Sequence, residues 1–323
     1  MLIAHLDDGQ ELDQVLLVHV VEARSRRDGR PYLRLSVGDR SGQLPAIVRD
    51  DVAAALELCR AGRPVHVRGR YEVHARFGPQ LALSAVREAE PGSFAVADLV
   101  DGPPRAPAAM EAEIRELVAT VQQPHLRALL ERLLGAHTET WDNYRRAPAA
   151  KLYHHAYVHG LLEHCLTVAQ GVSALASTFP GIDRDVAVTG ALLHDIGKLE
   201  AYTADPFAID LTDAGRLQGE IALGYYRVRR EIEELPGFPP ATAQGLLHVI
   251  LSHHGSLEHG SPVVPSTREA WLVHVIDNLG GKLGSFDRVE KALAPGASWA
   301  PFDRGIGASA YFGTGGEAER RAA

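Results

Sequence analysis

Five apolar segments between residues 148 and 285 each carry a histidine or an acidic residue, and no other feature constrains the fold as strongly. The segments are "GLLEHCL", "ALLHDIGK", "LQGEIALG", "ILSHHG" and "HVIDNLGG". Apolar residues at helical spacing predict that each segment belongs to a helix. A charged side chain is costly to bury without a partner, so a shared centre that gathers these polar groups is expected.

A metal centre would supply that partner. Imidazole and carboxylate ligands together suit manganese, iron, cobalt or zinc. The set exceeds the four ligands of a closed tetrahedral site and fits two divalent ions about 3.5–4 Å apart that share a bridging aspartate. The candidate ligands are His164, His194, Asp195, Glu220, His253, His254 and Asp277.

Each of these residues also has an ordinary interpretation, because most histidines on helices are surface or hydrogen-bonded residues. Glu220 in particular could be a solvated acid in the first turn of a helix. The ordered series His, His-Asp, Glu, His-His, Asp favours the metal centre, since each segment departs from the ordinary expectation separately.

Composition limits the class of protein. The chain has 323 residues, a net charge of −8 and 2 cysteines that lie far apart, Cys59 and Cys165. The acidic balance argues against a protein that coats nucleic acid non-specifically, although not against a local basic groove. The sequence has no cysteine framework, no signal peptide and no apolar run of transmembrane length. A protein of the reducing cytoplasm that contacts no membrane is therefore expected.

The first 90 residues have a different pattern, in which apolar and polar residues alternate in short runs. Turn residues such as Gly29 and Gly42 separate five predicted strands, at 15–25, 31–39, 42–50, 63–75 and 79–90. The stretch 50–62 predicts a short helix between the third and fourth strands. Five strands with one helix at this point is the order of an OB-fold barrel.

Longer motifs resemble those of one protein family. "EHCL", "LLHDIGK", "ILSHHG" and "HVIDNL" are similar, in this order, to the motifs of the HD-domain metal-dependent phosphohydrolases. "YHHAYVHGLLEHCLTV" and, in the first half, "GRPYLRLSVGDRSGQLPAIV" resemble the YhaM-type 3′→5′ exoribonucleases within that group. The resemblance spans roughly residues 10–285.

Pattern and resemblance together predict a two-domain protein, with a small β-barrel of the OB-fold type followed by an all-α HD domain. The expected boundaries are an OB-fold nucleic-acid-binding domain at 1–90, a linker at 91–110, an HD metal-dependent phosphohydrolase domain at 111–285 and an irregular C-terminal tail at 286–323.

The resemblance also implies a ligand set. It consists of His164, His194, Asp195, His253 and Asp277, with His254 bound to the metals or next to their ligands. Two divalent ions are expected, manganese first, with iron, cobalt, zinc or magnesium as alternatives. One position departs from the family. Where its members usually have "GHI", this chain has "GEI" with Glu220, which leaves the filling of the second metal site open.

Catalytic roles follow from the same resemblance. Asp195 would bridge the ions, and Lys198 would stabilise charge on the phosphoryl oxygens. A histidine would donate the proton to the leaving oxygen, and the candidates are His154, His155 and His159. His155 is the first choice because "HHAY" belongs to the matched motif. The helix that contains "EHCL" is expected to start at Pro148 and to carry all three histidines.

In the barrel, an arginine-lined groove with exposed rings is expected to bind single strands. Phe77 lies in a predicted hairpin turn, where a ring has little core to join, and is the first candidate for stacking on a base. The alternative is an ordinary solvated sheet face. The candidate nucleic-acid-binding residues are Tyr32, Arg34, Arg68, Arg70 and Phe77.

The favoured function is a metal-dependent 3′→5′ exonuclease that hydrolyses single-stranded RNA to nucleoside monophosphates, with single-stranded DNA as a second possible substrate. Two alternatives stay open. One is an HD phosphohydrolase that acts on nucleotides or cyclic dinucleotides, and the other is a nucleic-acid-binding adaptor with a degenerate HD domain. The sequence predicts no oligomeric state.

Overall fold

The computed structural model describes residues 1–26, 28–151, 155–294 and 296–313 and divides the chain into two compact units. The first unit comprises Met1–Gly102 and Ala204–Ile209, and the second comprises Pro103–Thr203 and Asp210–Ala323. In the described part of the chain, no helix has the length and apolar character needed to cross a membrane.

The first unit contains a closed five-stranded β-barrel. Its strands are β1 (Glu11–Ser25), β2 (Pro31–Asp39), β3 (Gly42–Val48), β4 (Pro64–His74) and β5 (Gly78–Glu88), with helix α1 (Val52–Leu58) between β3 and β4. The strand order around the barrel is β1-β2-β3-β5-β4, and antiparallel pairing of β1 with β4 closes it. The predicted OB-type barrel is thereby confirmed.

Alternation along the strands explains why the barrel closes around an apolar core. In β2, Leu33, Leu35 and Val37 are buried, whereas the alternating residues Tyr32 and Arg34 are partly or fully exposed on the outside. Because successive side chains of a strand point to opposite faces, the apolar half of each strand fills the interior. The polar half is left to line the outside of the barrel.

The second unit is helical. Helix α2 (Val96–Leu99) still belongs to the first unit; the helices that follow are α3 (Pro107–Thr120), α4 (Pro124–Leu134), α5 (Glu139–Tyr144), α6 (Gly160–Ala176), α7 (Arg184–Leu193), α8 (Lys198–Ala201), α9 (Asp213–Gln218), α10 (Glu220–Glu233), α11 (Pro240–Ser252) and α12 (Arg268–Lys291). Helices α6, α7, α11 and α12 pack on one another and form most of the core of this unit.

Helix α6 begins later than the sequence predicts. The expected helix from Pro148 through the histidines to His164 is wrong, since α6 starts at Gly160. The reason is local, because His155 and His159 have φ angles of 58° and 71°. These left-handed values cannot continue a right-handed helix. His154 lies outside the described residues.

Two further stretches differ from expectation. The predicted linker at 91–110 contains α2 and the first turn of α3, which starts at Pro107. The predicted irregular tail contains the last turn of α12 and a hairpin of strands β6 (Trp299–Asp303) and β7 (Ala308–Tyr311). The hairpin packs small side chains, Ala300 and Ala310, against Val289 of α12, and this contact orders a glycine- and alanine-rich sequence.

Candidate metal centre

Four helices deliver side chains to one buried point in the second unit. His164 lies in the first turns of α6, His194 and Asp195 directly follow α7, His253 directly follows α11, and Asp277 lies in the middle of α12. The first four have relative exposures of 3% or less. The four principal core helices of the unit thus converge on these residues, as the series of motifs predicts.

The candidate ligand atoms lie close enough together to hold a metal ion in sets of three. Nε2 of His164 lies 3.1 Å from Asp195 Oδ2 and 3.2 Å from Asp277 Oδ1. Nε2 of His194 lies 3.1 Å from Nε2 of His164. Two sets of three ligand atoms lie within 4.8 Å of one another; they are His164, His194 and Asp277, and His194, Asp195 and His253.

Two histidine rings turn their Nε2 atoms toward this point. Nδ1 of His194 lies 2.8 Å from the carbonyl oxygen of Ala191, and Nδ1 of His253 lies 2.8 Å from that of Ile250. A carbonyl oxygen only accepts hydrogen bonds, so each Nδ1 carries a proton and Nε2 is the ring nitrogen that faces the cluster. This arrangement, in which a backbone carbonyl fixes the outer nitrogen, is common among metal-binding histidines.

Two buried acceptors in the cluster have no hydrogen-bond partner in the described part of the chain, Asp195 Oδ1 and His253 Nε2. They face each other across 3.5 Å. Two acceptors repel unless a positive group lies between them, and an unsatisfied buried polar atom costs about 1–3 kcal/mol. A divalent cation would satisfy both atoms, so the donor set fits a metal.

The pKa shifts within the cluster also favour a bound cation. Burial alone would lower the pKa of His164, but hydrogen bonds with Asp195 and Asp277 outweigh it and raise that pKa to about 9. Burial would raise the pKa of Asp195, yet the charges of Lys198 and His194 hold it well below its usual range. The cluster therefore keeps its carboxylates ionised and attracts positive charge.

Lys198 places an ammonium group beside the cluster. Its Nζ lies 2.7 Å from Asp195 Oδ2 and its side chain is mostly buried. Burial would lower the pKa of this amine, but Asp195 and then Glu220 outweigh that effect and raise it. The ammonium group consequently stays charged and adjoins the carboxylate predicted to bridge two ions.

The close approach of two backbones positions Glu220. A Cβ atom on Gly197 would overlap the backbone of Glu220 and Gly224, so only glycine lets the start of α10 pack against the "HDIGK" segment. Glu220 then begins α10 directly after Gly219, which has a φ of 77°. Oε1 of Glu220 lies 3.7 Å from Nε2 of His254. These two predicted ligands form an adjoining pair outside both three-atom sets.

The backbone of His253, the first histidine of "SHHG", is held in place by a neighbouring ring. Gly255 has a φ of 82°, and a Cβ atom there would overlap the ring of His274. Nδ1 of His274 in turn lies 2.8 Å from the carbonyl oxygen of His253. The glycine thus ends α11 and leaves room for a ring that fixes the backbone of a predicted ligand.

The predicted proton donors separate in the structure. The ring of His155 lies beside the metal cluster, with its centroid 5.7 Å from that of His164. His159 lies at the N-cap of α6, and its Nδ1 is hydrogen-bonded to the carbonyl oxygen of Arg145. His155 is therefore better placed than His159 to reach a substrate at the cluster.

Sequence reasoning missed two residues next to His155. Glu163 is buried, its Oε2 accepts a hydrogen bond of 2.5 Å from the Tyr157 hydroxyl, and it lies 3.8 Å from Nε2 of His155. An acid inside the apolar run "GLLEHCL" was a usable signal for Glu163. Tyr157 had no such signal, because a tyrosine in a short loop is common.

A groove on the outside of the barrel has a volume of about 790 Å³. Three of the five predicted nucleic-acid-binding residues line it, Tyr32, Arg34 and Phe77. The Phe77 side chain is 66% exposed and packs against His74, with ring centroids 4.8 Å apart. Four further arginines line the groove; they are Arg24, Arg26, Arg49 and Arg76.

The other two predicted residues are not part of this lining. Arg68 and Arg70 of β4 lie opposite Asp13 and Glu11 of β1 in the antiparallel register. Arg70 forms an ion pair of 2.8 Å with Glu11. Alternation correctly predicts that both arginines point outward, but the sequence does not indicate which side of the barrel they occupy.

Comparison with known proteins adds the family context. Residues 161–281 match the HD domain family. The 3′-5′ exoribonuclease YhaM of Geobacillus sp. strain WCH70 is 30% identical over 296 residues, which are 91% of this chain and 89% of the relative. YhaM of Bacillus subtilis strain 168 is 30% identical over 289 residues, 89% of this chain and 90% of the relative.

Solved structures add little to this. The protein PriB from Ralstonia solanacearum matches 25% of this chain and 97% of its own chain, with 14% sequence identity and a TM-score of 0.22. A score this low supports no conclusion about fold or function.

Proposed function

The chain belongs to the family of YhaM 3′-5′ exoribonucleases, and on that basis we propose that it is a metal-dependent 3′→5′ exonuclease that hydrolyses single-stranded RNA to nucleoside monophosphates. The family relation covers both units and makes the chain a hydrolase of the HD type.

The convergence of buried acceptors at the ends of α7 and α11 is the observation that carries metal dependence. Asp195 Oδ1 and His253 Nε2 face each other at 3.5 Å in a site with almost no solvent exposure. Such an arrangement is costly without a cation and favourable with one. His164, His194, Asp195, His253 and Asp277 would hold the first ion, and Asp195, Glu220 and His254 offer ligands for a second.

Bound divalent ions would supply Lewis acidity, which neutralises phosphodiester charge and activates water. Manganese is the first choice, because imidazole with several carboxylates suits it; iron, cobalt, zinc and magnesium are the alternatives. Glu220 replaces a neutral imidazole with a carboxylate, and it would favour the harder ions among these.

Two residues outside the ligand set would act on the phosphate. Lys198 keeps its charge and lies within 2.7 Å of Asp195, so its remaining N–H groups can donate to a phosphoryl oxygen beside the bridging carboxylate. His155 would donate a proton to the leaving 3′ oxygen. Its ring lies next to His164, and it adjoins the buried carboxylate of Glu163.

The barrel groove would bind the strand. Five arginines, the half-buried ring of Tyr32 and the exposed ring of Phe77 offer charge for the phosphates and stacking surfaces for bases. Neither interaction reads the 2′-hydroxyl group of the sugar. We therefore expect the groove to bind single-stranded DNA as well, and discrimination of RNA to come from the metal centre.

The decisive experiment incubates 5′-labelled single-stranded RNA with the full chain and manganese and resolves the products on a gel. A ladder that shortens from the 3′ end, with monophosphates released and activity abolished by a chelator, is the expected result. Full-length RNA with every one of the five metals would overturn the proposal. Turnover of cyclic dinucleotides without RNA shortening would instead favour the phosphohydrolase alternative.

A further inference from the structure

Helix α12 contributes Asp277 to the metal centre and also exposes a ridge of apolar side chains. The ridge consists of Trp271, Val275, Leu279 and Leu283, which are 53%, 50%, 49% and 56% exposed. Residues four apart lie one above the other on a helix, so the four form a continuous row roughly 18 Å long. Exposed apolar rows of this kind mark interaction sites rather than ordinary surface.

The charges around the ridge do not suit a nucleic acid. Arg268 lies at its N-terminal end, and Asp287, one turn beyond Leu283, lies at its C-terminal end. Both side chains belong to exposed residues. A phosphate backbone is bound by a series of cations, whereas this surface has an exposed cation at one end and an exposed anion at the other. Lys282, beside Leu283, donates its hydrogen bonds to the carbonyl oxygens of Gly305 and Ile306.

The surface is complementary to a second copy of itself. Next to the ridge, the neighbouring row of α12 contains Gly280, where an added Cβ atom would meet nothing within 4 Å. A ridge with open space beside it at this position can pack into an identical surface by the common four-residue ridge-and-groove geometry. Two-fold interfaces require such a self-complementary patch.

Charge selects the antiparallel orientation. If two α12 helices cross with a twofold axis between Val275 and Leu279, Trp271 of one copy faces Leu283 of the other. The same register places Arg268 of one copy near Asp287 of the other, at both ends of the contact. A parallel pair would instead bring like charges together. We propose that two copies of this chain associate through antiparallel packing of the α12 ridges.

The expected dimer is reversible. A standard interface buries about 800 Å² on each partner, and four half-exposed side chains form a smaller contact. We therefore expect dissociation constants on the order of micromolar. The prediction is independent of the exoribonuclease activity, because the mass of the particle is measured without any substrate.

Sedimentation velocity of the full chain between about 1 and 100 µM, a range that brackets such an affinity, tests the proposal. The wild-type particle should approach twice the chain mass of 34.9 kDa as concentration rises. Leu279→Asp should remain a single chain throughout. Tyr226→Asp, at a residue of α10 that is 64% exposed, is the matched control and should dimerise like the wild type.

Exchange of the two charges tests the orientation. Asp287→Arg and Arg268→Asp should each weaken the dimer at least tenfold, and the double variant should recover most of that loss. Arg268 also donates to the carbonyl oxygen of Gly181, so thermal unfolding of each variant is measured alongside. If Arg268→Asp does not fold, Asp287→Lys and Asp287→Asn give a graded comparison at the other end.

Three results would overturn the proposal. The first is a single-chain mass for the wild type at every concentration, which would leave the ridge to another partner. The second is a Leu279→Asp variant that dimerises like the wild type. The third is a double charge variant that is no stronger a dimer than the two single variants. RNA shortening by folded, monomeric Leu279→Asp would show that the metal centre is intact.

Discussion

The metal centre and the barrel groove both collect charged side chains, but they do so under opposite conditions of burial. His164 and Asp195 in the centre are 3% and 2% exposed. In the groove, the side chains of Arg24 and Arg34 are 47% and 48% exposed, and both lie near Glu22. Charges in the first region depend on one another without water, whereas those in the second remain about half exposed to solvent even where they pair.

This difference determines how much each residue contributes. In a buried cluster, removing one partner leaves the others unsatisfied in a medium of low dielectric constant, so single substitutions have large effects. In an exposed groove, water and salt screen each charge, and single substitutions have small effects that add. Substitutions in the centre are therefore expected to have larger effects than substitutions in the groove.

Asp195→Asn should reduce exonuclease turnover about a thousandfold or more, since it removes the proposed bridging ligand and several kcal/mol of charge stabilisation. The measurement is kcat on labelled RNA, with bound metal determined on the same sample. Glu116→Gln, at an exposed residue of α3, is the control and should keep full turnover. Retained turnover and metal content in Asp195→Asn would remove this residue from the centre.

Gly197→Ala tests the backbone that positions the centre. Its Cβ atom would overlap the backbone of Glu220 and Gly224, so the start of α10 has to move. We expect a loss of about 1–3 kcal/mol in the free energy of unfolding, and a loss of turnover of about 10- to 100-fold through misplaced ligands. Gly102→Ala, where an added Cβ meets nothing within 4 Å, should change neither quantity.

The convergence of His164, His194, Asp195, His253 and Asp277 could be predicted from the sequence. The residue pattern predicts that polar groups in apolar helical runs gather at a shared centre, and the resemblance to the HD-domain phosphohydrolases singles out these five. The loop before α6 could not be predicted, because the left-handed turns at His155 and His159 follow from contacts with distant backbone, such as that of Arg145. Glu163 could have been predicted from its place inside the apolar run "GLLEHCL", which helical periodicity alone does not single out.

Phe77→Ala should weaken binding of single-stranded RNA about tenfold, because stacking of one base on an aromatic ring is worth about 1–3 kcal/mol. Fluorescence anisotropy at fixed salt measures the affinity, and Phe179→Ala, at a phenylalanine of the helical unit that is 55% exposed, is the control. Turnover of a small chromogenic phosphodiester should not change. An equal loss in both variants would indicate that exposed rings bind RNA without regard to the groove.

The groove also shows where prediction from sequence ends. The barrel follows from strand alternation and turn residues, and so does the outward direction of Arg34 and Arg68. The side of the barrel on which each arginine lies depends on strand order, since β4 pairs with β1 and places Arg68 opposite Asp13. Strand order is set by long-range pairing, which a local pattern does not contain.

Arg34→Gln and Arg68→Gln compare an arginine that lines the groove with one that does not, and we expect the smallest effects here. Each phosphate contact with a single strand contributes about −0.7 to the slope of log K against log salt. We expect Arg34→Gln to reduce the magnitude of the slope by about this amount, because Arg34 lines the groove, and Arg68→Gln to leave it unchanged. Titrations at several salt concentrations decide between them. Equal slopes for the two variants would mean that RNA contacts the outside of the barrel beyond the groove. The RNA-binding surface would then be larger than the groove and its arginines.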